Sequence, residues 1–374
     1  MGLRIRVVHN KESALGVFDA IGSEGHEEVV FGSDAVSGLK TIIAIHSTAL
    51  GPALGGTRFY PYGTEEEALA DVLRLSKAMT SKASAAGLDL GGGKAVIIGD
   101  PGEMKSERLW RAYGRIVDSL QGRYITAEDI GTDASDMEMI RHETRWVVGI
   151  PVAEGGSGDP SPATARGLMR AIGAMAENTW GDRDISSKHF AIQGVGKVGR
   201  DLVRRLTKFG AKVTIADVFG PSVDFVVNEY GATAVDPADI LAVECDVLSP
   251  CGMGGIINPT SIASLRTKAI VGAANNQLES DKDADRLAED GVVYCPDFVV
   301  NSGGLINVWE EMRGYEEDRA AHNIDKIDAL TKRILTEAAK NEETPLVAAQ
   351  RLASERVHRI GQLRLFRRGG DDRN

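Results

Sequence analysis

The feature that most constrains this chain is a glycine series near its middle. The apolar run Phe190-Ala191-Ile192-Gln193 leads into Gly194-Val195-Gly196-Lys197-Val198-Gly199, and a helix is predicted from Arg200 to Phe209. A strand, three glycines in this spacing and a helix have a shared physical use. The first glycine permits a tight turn, the second lets backbone come close to a pyrophosphate, and the third lets helix and strand pack closely. The anion would rest on the helix N-terminus, where unpaired N–H groups and the dipole favour it. The series alone is weak evidence, and its context strengthens it. A second strand, Lys212 to Ala216, ends at Asp217, 18 residues beyond Gly199, close to the spacing of the acid that holds the ribose hydroxyls. An Asp there bonds a free 2′-hydroxyl and repels a 2′-phosphate. No Arg follows nearby, so NAD is expected over NADP.

A chain of 374 residues exceeds one usual domain. From Phe190 onward short strands (190–192, 213–216, 247–248, 269–271 and 292–294) alternate with helical segments, which implies a parallel sheet with helices on both faces. The first half reads as mixed strand and helix. Strands are expected at His26 to Phe31 and Leu39 to His46, and Thr64-Glu65-Glu66-Glu67 is a capping box opening a helix to about Ala86. Ala68, Val72, Leu75 and Met79 recur on one face of that helix, most simply as core. Next come a turn at Gly91-Gly92-Gly93, a strand from Ala95 to Ile98, a helix from Ser106 to Leu120 and a strand at Tyr124-Ile125-Thr126. The Gly155–Pro160 stretch is a hinge, and a helix begins at Pro162. The expected division is residues 1–150, 151–330 as a Rossmann-type doubly wound domain, and 331–374 as a helical segment that packs back on the first domain.

Composition excludes several classes. With 43 Lys and Arg against 54 Asp and Glu, the formal charge is −11, and no basic cluster suggests nucleic acid. The short basic run from Arg364 to Arg368 reads as a solvated end. Cys245, Cys251 and Cys295 are sparse and unpatterned, as free thiols in a reducing compartment would be. His142-Glu143 begins like a zinc helix, but Trp146 stands where the second ligand would be, so no metal is expected. The opening MGLRIRVVHNKESALG lacks a signal-peptide core and no long apolar run follows, so a soluble cytoplasmic protein is expected.

Two lysines invite a chemical reading. Lys82 falls three residues beyond Met79, near the apolar helix face, and Lys94 follows three glycines and precedes an apolar strand. The segment is not a P-loop: position 88 is Leu and position 95 is Ala, which cannot ligate magnesium. Converging lysines repel and desolvate each other, and both effects lower an ammonium pKa. One could then act as an acid–base group while the other holds a carboxylate. Asp129 is a candidate partner carboxylate, with Glu128 its local rival.

Gly51-Pro-Ala-Leu-Gly-Gly-Thr-Arg58, Met79-Thr-Ser-Lys82, Gly91-Gly-Gly-Lys94, Thr126-Ala-Glu-Asp129, the 194–199 glycines, Gly272-Ala-Ala-Asn275-Asn276 and Asn301-Ser-Gly-Gly304 together resemble the glutamate/leucine/phenylalanine/valine dehydrogenase family, in order and over roughly residues 25 to 315. The resemblance implies an N-terminal α/β substrate domain that also mediates oligomerisation, a Rossmann domain, an active site in the cleft between them, and a homo-oligomer. It makes Lys82 the binder of the substrate carboxylate, aided by backbone N–H groups at Gly55 and Gly56, Lys94 the catalytic lysine, and Asp129 the group that accepts and returns protons. Asn275 would lie beside nicotinamide and substrate, and Thr164 near the carboxamide. Leu54, Met79, Ala127, Leu305 and Val308 would line the side-chain pocket. Gly194, Val195, Gly196, Lys197, Val198, Gly199, Asp217, Val218, Cys251, Ala274 and Asn276 would contact the cofactor.

The implied reaction is reversible NAD-dependent oxidative deamination of an L-amino acid to a 2-oxo acid and ammonia. Glutamate enzymes of the family carry a lysine at the position of Leu54 and a serine at that of Val308. A substrate carboxylate buried there without a partner would cost several kcal/mol, so an apolar side chain is expected. The Thr126–Asp129 segment is most similar to the leucine and valine enzymes, which favours branched-chain substrates, while Ser81 and Trp309 depart from that pattern. Phenylalanine is the alternative substrate. A non-catalytic NAD-binding protein on the same fold would have lost Lys82, Lys94 or Asp129, and a 2-hydroxy-acid dehydrogenase would want a His–carboxylate pair that no motif supplies.

Overall fold

The structure is a computed structural model that describes residues 17–363. The opening segment and the basic run 364–368 lie outside the described residues. Strands β1 (Glu28–Asp34), β2 (Leu39–Ser47), β3 (Ala53–Tyr60), β4 (Gly91–Ile98) and β5 (Tyr124–Glu128) form a sheet in the order β1-β2-β4-β3-β5. β2 pairs antiparallel with β1 and β4, while β3 runs parallel to β4 and β5. Side chains alternate across it, as the pleat requires. Ile42, Ala44 and Val96 meet Ala68, Val72 and Leu73 of the helix Glu65–Ala85 on one face. Ile43, Ile45, Ala95 and Ile97 meet Leu109, Trp110, Tyr113 and Val117 of the helix Glu107–Ser119 on the other. Thr64 caps the first helix by accepting from the Glu67 N–H at 3.1 Å. The reciprocal half of the expected box is displaced by one residue, since Glu67 accepts from the Gly63 N–H at 3.0 Å.

Two expectations are corrected here. Gly91-Gly92-Gly93, expected as a turn, and residues 53–60, where no strand is expected, both form central strand. The glycines are there because other chain lies against them. A Cβ on Gly55 would sit 1.7 Å from the Gly93 carbonyl oxygen, one on Gly91 1.9 Å from that of Ser47, and one on Gly92 2.2 Å from the Thr80 nitrogen. Glycine inside a strand marks such an approach as readily as it marks a turn.

The second sheet is wholly parallel: β6 (His189–Gln193), β7 (Lys212–Ala216), β8 (Thr233–Ala234), β9 (Val247–Pro250), β10 (Ala269–Ile270) and β11 (Val293–Tyr294), in the order β11-β10-β9-β6-β7-β8. The two-residue β8 was not anticipated. The order reverses at β6, which leaves a crevice at the carboxyl ends of β6 and β9, where ligands of such sheets bind. Helices follow at Gly303–Glu311, Glu317–Asp325, Ile327–Asn341 and Pro345–Gly361. The last returns to the first sheet's helix: Ser84 Oγ donates to the Ala353 carbonyl at 2.7 Å, and Arg356 donates to the Leu88 carbonyl at 2.7 Å. Glu311 joins the halves at the predicted hinge, accepting from the N–H groups of Gly149 (3.0 Å) and Ser157 (2.8 Å) and from the Ser157 hydroxyl (2.8 Å). One apolar cluster runs from Leu54 and Ala127 of the first sheet to Ile192 of the second and on to Leu305 and Val308. Among the described residues no helix is long and apolar enough to cross a membrane.

Candidate active site

Three elements bring charge to one point of the cleft. The last turn of the helix Glu65–Ala85 carries Lys82, β4 carries Lys94, and Asp129 follows the end of β5. Lys94 is 6% exposed and its Nζ lies 3.1 Å from Asp129 Oδ2. Arg58 of β3 donates from Nε to the same oxygen at 2.9 Å. The Asp129 N–H donates to Thr132 Oγ1 at 2.8 Å, and that hydroxyl lies within 2.9 Å of the Thr57 carbonyl, so the loop is tied to β3. A Cβ at Gly56 would fall 2.3 Å from the Glu128 carbonyl oxygen and 2.9 Å from Asp129 Cβ. Gly56 is therefore what lets this loop reach the sheet. The β3–β4 ladder skips Gly55 and Gly56, opposite the strand that delivers Lys94.

Asp129, and not its rival Glu128, is the carboxylate beside Lys94. Burial pushes the Asp129 carboxyl up, but Lys94 and Arg58 outweigh it and hold it below its ordinary value. Burial pushes Lys94 down, and Asp129 offsets that only in part. Glu128 is raised, chiefly by burial, with Lys197 opposing the shift. Lys82 donates to Asn275 Oδ1 at 3.3 Å across the cleft, and Asn301 Nδ2 donates to the same oxygen at 2.9 Å. Burial brings Lys82 down to about 8, with Lys94 adding to the shift and Asp297 and Asp129 opposing it. The depression expected of two converging lysines holds in one direction: Lys94 lowers Lys82, with desolvation the larger cause, whereas Lys94 itself is lowered by burial and then by Arg58.

The residues expected to line the side-chain pocket are apolar and share one cluster. Leu54 (2% exposed), Ala127, Leu305 and Val308 belong to one buried apolar cluster, and Met79 packs against it. No carboxylate partner stands among them.

At the crevice of the second sheet the three glycines differ in the ways the motif requires. Gly194 has φ +94°, which favours glycine. A Cβ on Gly199 would lie 2.1 Å from the Gly194 carbonyl oxygen, so helix and turn touch there. A Cβ on Gly196 would meet nothing within 4 Å. That open backbone caps the helix Lys197–Lys208, the place for a pyrophosphate. Asp217 is braced, accepting from the Val195 N–H at 2.7 Å and the Phe219 N–H at 2.9 Å. These residues fit a dinucleotide. Val218 is 92% exposed beside Asp217. Lys197 stands 3.5 Å from the Asp159 carboxylate, and Val198 is part-buried in the first helical turn. Cys251 lies under the turn, its thiol pushed up to about 12 by burial and so protonated. Ala274 donates its N–H to the Pro250 carbonyl at 2.9 Å, and Asn276 turns the chain at φ +52°. Thr164 donates to the Pro160 carbonyl at 3.0 Å, where the helix Gly303–Glu311 begins: a Cβ on Gly304 would lie 2.8 Å from its hydroxyl oxygen. The expected residues thus form a charged and apolar group and a glycine-turn group, with Asn275 touching the first from the side of the second.

Four contributors were missed as individual residues: Arg58, Asp71, Tyr62 and Asn301. Arg58 donates from Nη1 to Asp71 Oδ2 at 2.8 Å, and the Tyr62 hydroxyl donates to the same oxygen at 2.7 Å. The signal for Arg58 is the alternate-residue spacing of Leu54, Gly56 and Arg58, which only an assigned strand at 53–60 turns into a shared face.

Known proteins carry the same pattern. Residues 26–146 match the family model described as Glu/Leu/Phe/Val dehydrogenase, dimerisation domain, and residues 221–364 match the one described as Glutamate/Leucine/Phenylalanine/Valine dehydrogenase. Residues 163–271, which include the glycine turn, match the NAD binding domain of D-isomer specific 2-hydroxyacid dehydrogenases. A leucine dehydrogenase of Geobacillus stearothermophilus is 48% identical over 93% of this chain and 95% of its own length. A valine dehydrogenase of Streptomyces virginiae is 48% identical over 89% of this chain and 94% of its own. The crystal structure of L-tryptophan dehydrogenase from Nostoc punctiforme superposes with a TM-score of 0.80 at 41% identity, covering 92% of this chain and 99% of that one.

Proposed function

The chain belongs to the glutamate/leucine/phenylalanine/valine dehydrogenase family, and from that premise we propose that it catalyses the reversible NAD-dependent oxidative deamination of branched-chain L-amino acids. One observation carries the side-chain preference: Leu54 and Val308 are both buried apolar side chains, so neither position can give a substrate side-chain carboxylate a cation or a hydrogen bond. Glutamate would leave its charge unpaired there, at a cost of several kcal/mol. The leucine and valine dehydrogenases at 46–48% identity support the same reading.

In the proposed mechanism Lys82, mostly protonated at neutral pH, holds the α-carboxylate with the backbone at Gly55 and Gly56. The 194–199 turn and Asp217 would hold NAD, which when bound would supply the two-electron acceptor for the hydride of the substrate Cα. Asp129 takes a proton from the substrate ammonium, so the nitrogen lone pair can form the iminium as the hydride leaves. Lys94, at 3.1 Å from Asp129 and lowered by burial, takes a proton in its neutral form from the water that adds to the iminium carbon, giving a carbinolamine. Asp129 returns its proton to nitrogen, then takes the hydroxyl proton as the C–N bond breaks, and ammonia leaves with the 2-oxo acid. The apolar cluster keeps bulk water from the side chain. Assembly into a homo-oligomer, which the dimerisation-domain match supports, and a cytoplasmic location belong to the same reading.

The test is NADH formation with Val, Leu, Ile, Phe, Trp and Glu, with Lys94→Ala alongside. Highest kcat/KM for the branched-chain substrates and loss in the variant are expected. Preference for an aromatic substrate would move the reading toward the tryptophan enzyme of the same fold, and activity retained without Lys94 would end the mechanism.

A further inference from the structure

The carboxylate at the centre of the site is held on one side only. Arg58 Nε at 2.9 Å and Lys94 Nζ at 3.1 Å both address Asp129 Oδ2. Among the described residues no hydrogen bond reaches Oδ1, and the side chain is 21% exposed. Arg58 is itself anchored from behind: Nη1 meets Asp71 Oδ2 at 2.8 Å, where the Tyr62 hydroxyl also donates, and Arg74 meets Asp71 Oδ1 at 2.7 Å. The Arg58 and Asp71 side chains are only 18% and 15% exposed.

We infer that Arg58 is a positioning residue for proton transfer: its guanidinium pins Asp129 Oδ2 so that Oδ1 is the oxygen that takes the substrate proton, and Asp71 tempers how strongly it does so. The inference rests on the reading of Asp129 as the proton acceptor. Buried ion pairs often serve the fold alone. A purely structural triad, however, has no need to place two cations on one oxygen and leave the other open to the cleft. The planar fork of Arg58 spans two carboxylates through two different nitrogens, which a single ammonium could not do.

Charge makes the device testable with a sign. The groups facing Asp129 are Lys94 from β4, Arg58 from β3, Lys82 from the helix Glu65–Ala85, Asp71 from that helix behind Arg58, and its neighbour Glu128. Arg58 favours the ionised carboxylate and also disfavours the Lys94 ammonium, while Asp71 favours that ammonium. Removing Arg58 therefore raises the proton affinity of the Lys94–Asp129 pair as a unit. Removing the Asp71 charge leaves Arg58 unneutralised and lowers it. Arg58→Gln should move the acidic limb of the kcat/KM profile up by about 1 pH unit or more, the scale of one close charge, while Asp71→Asn should move it down. Arg58→Lys should keep the limb nearer the wild-type position yet lose kcat, with KM for the amino acid little changed, because Lys82 and Leu54 are untouched.

The experiment is the pH profile of the full-length enzyme and these three variants, with fold checked by circular dichroism and NADH binding by fluorescence. Opposite shifts support the inference. Limbs that move the same way, or stay put while kcat falls, reduce the triad to a structural role and overturn it. If Arg58→Gln does not fold, Asp71→Asn decides alone, and a limb that fails to move down sinks the idea. Asp129→Asn separates the two levels: an active Asn variant would remove the proton-acceptor reading itself, whereas an inactive one beside unshifted Arg58 and Asp71 profiles would remove only this inference.

Discussion

Replacing Asp217 should change both how tightly NAD is held and how firmly NADP is refused. The carboxylate accepts from Val195 and Phe219 N–H groups at 2.7 and 2.9 Å, so it is aimed before the cofactor arrives. A hydrogen bond from a ribose hydroxyl to such a charge contributes about 1.5–3 kcal/mol, and its loss in Asp217→Ala should weaken NAD by about 10- to 150-fold. A 2′-phosphate about 4 Å from the carboxylate would be repelled by about 4 kcal/mol at the effective dielectric of a protein surface. Asp217 is part-exposed, and salt screens such a site, so this is an upper bound. Ala also unties the glycine turn from Asp217, and Asp217→Asn separates the two effects: it keeps an acceptor for the Val195 N–H but sheds the charge. The Asn variant should gain kcat/KM for NADP, more at low ionic strength than at high, while losing less with NAD than Ala does. The assay is kcat/KM with each dinucleotide at two salt concentrations. A NAD-to-NADP ratio that stays within about threefold of wild type in the Asn variant, a free-energy change below roughly 0.7 kcal/mol, would refute Asp217 as the discriminating group.

Two further outcomes follow from the same geometry. Lys82, at about 8 in the free site, binds a carboxylate only while protonated. The inhibition constant of a saturated branched-chain carboxylate should therefore rise as pH passes upward through about 8, and Lys82→Met should abolish that dependence along with most of the binding; a flat profile in the wild type would contradict the assigned role. Gly55→Ala would set a Cβ 1.7 Å from the Gly93 carbonyl oxygen, and backbone in a central ladder cannot step aside. It should cost about 3 kcal/mol or more in denaturant unfolding, whereas Gly220→Ala, whose Cβ meets nothing within 4 Å, should stay within about 0.5 kcal/mol.

The parts legible from residue order are those whose physics is local. The turn from Gly194 to Gly199 needs particular φ values and close approaches within a few residues, so its spacing encoded it, and Asp217 followed from one strand length. Lys82 and Lys94 stood out because each interrupts an apolar pattern. Glycines misled in the first sheet, because a strand crowded by its neighbours calls for the same residue as a tight turn. With β3 unassigned, nothing tied Arg58 to the face that carries Leu54 and Gly56.

What the sequence by itself determined was the dinucleotide turn, the parallel second sheet and the identity of the charged groups. Tertiary structure decided which of those groups touch. It chose Asp129 over Glu128, placed Arg58 between Asp129 and Asp71, and brought Lys82 to Asn275 from 193 residues away. Such pairings depend on how two sheets and a returning helix close on one another. They are set by burial and register across the whole chain, which no local spacing records.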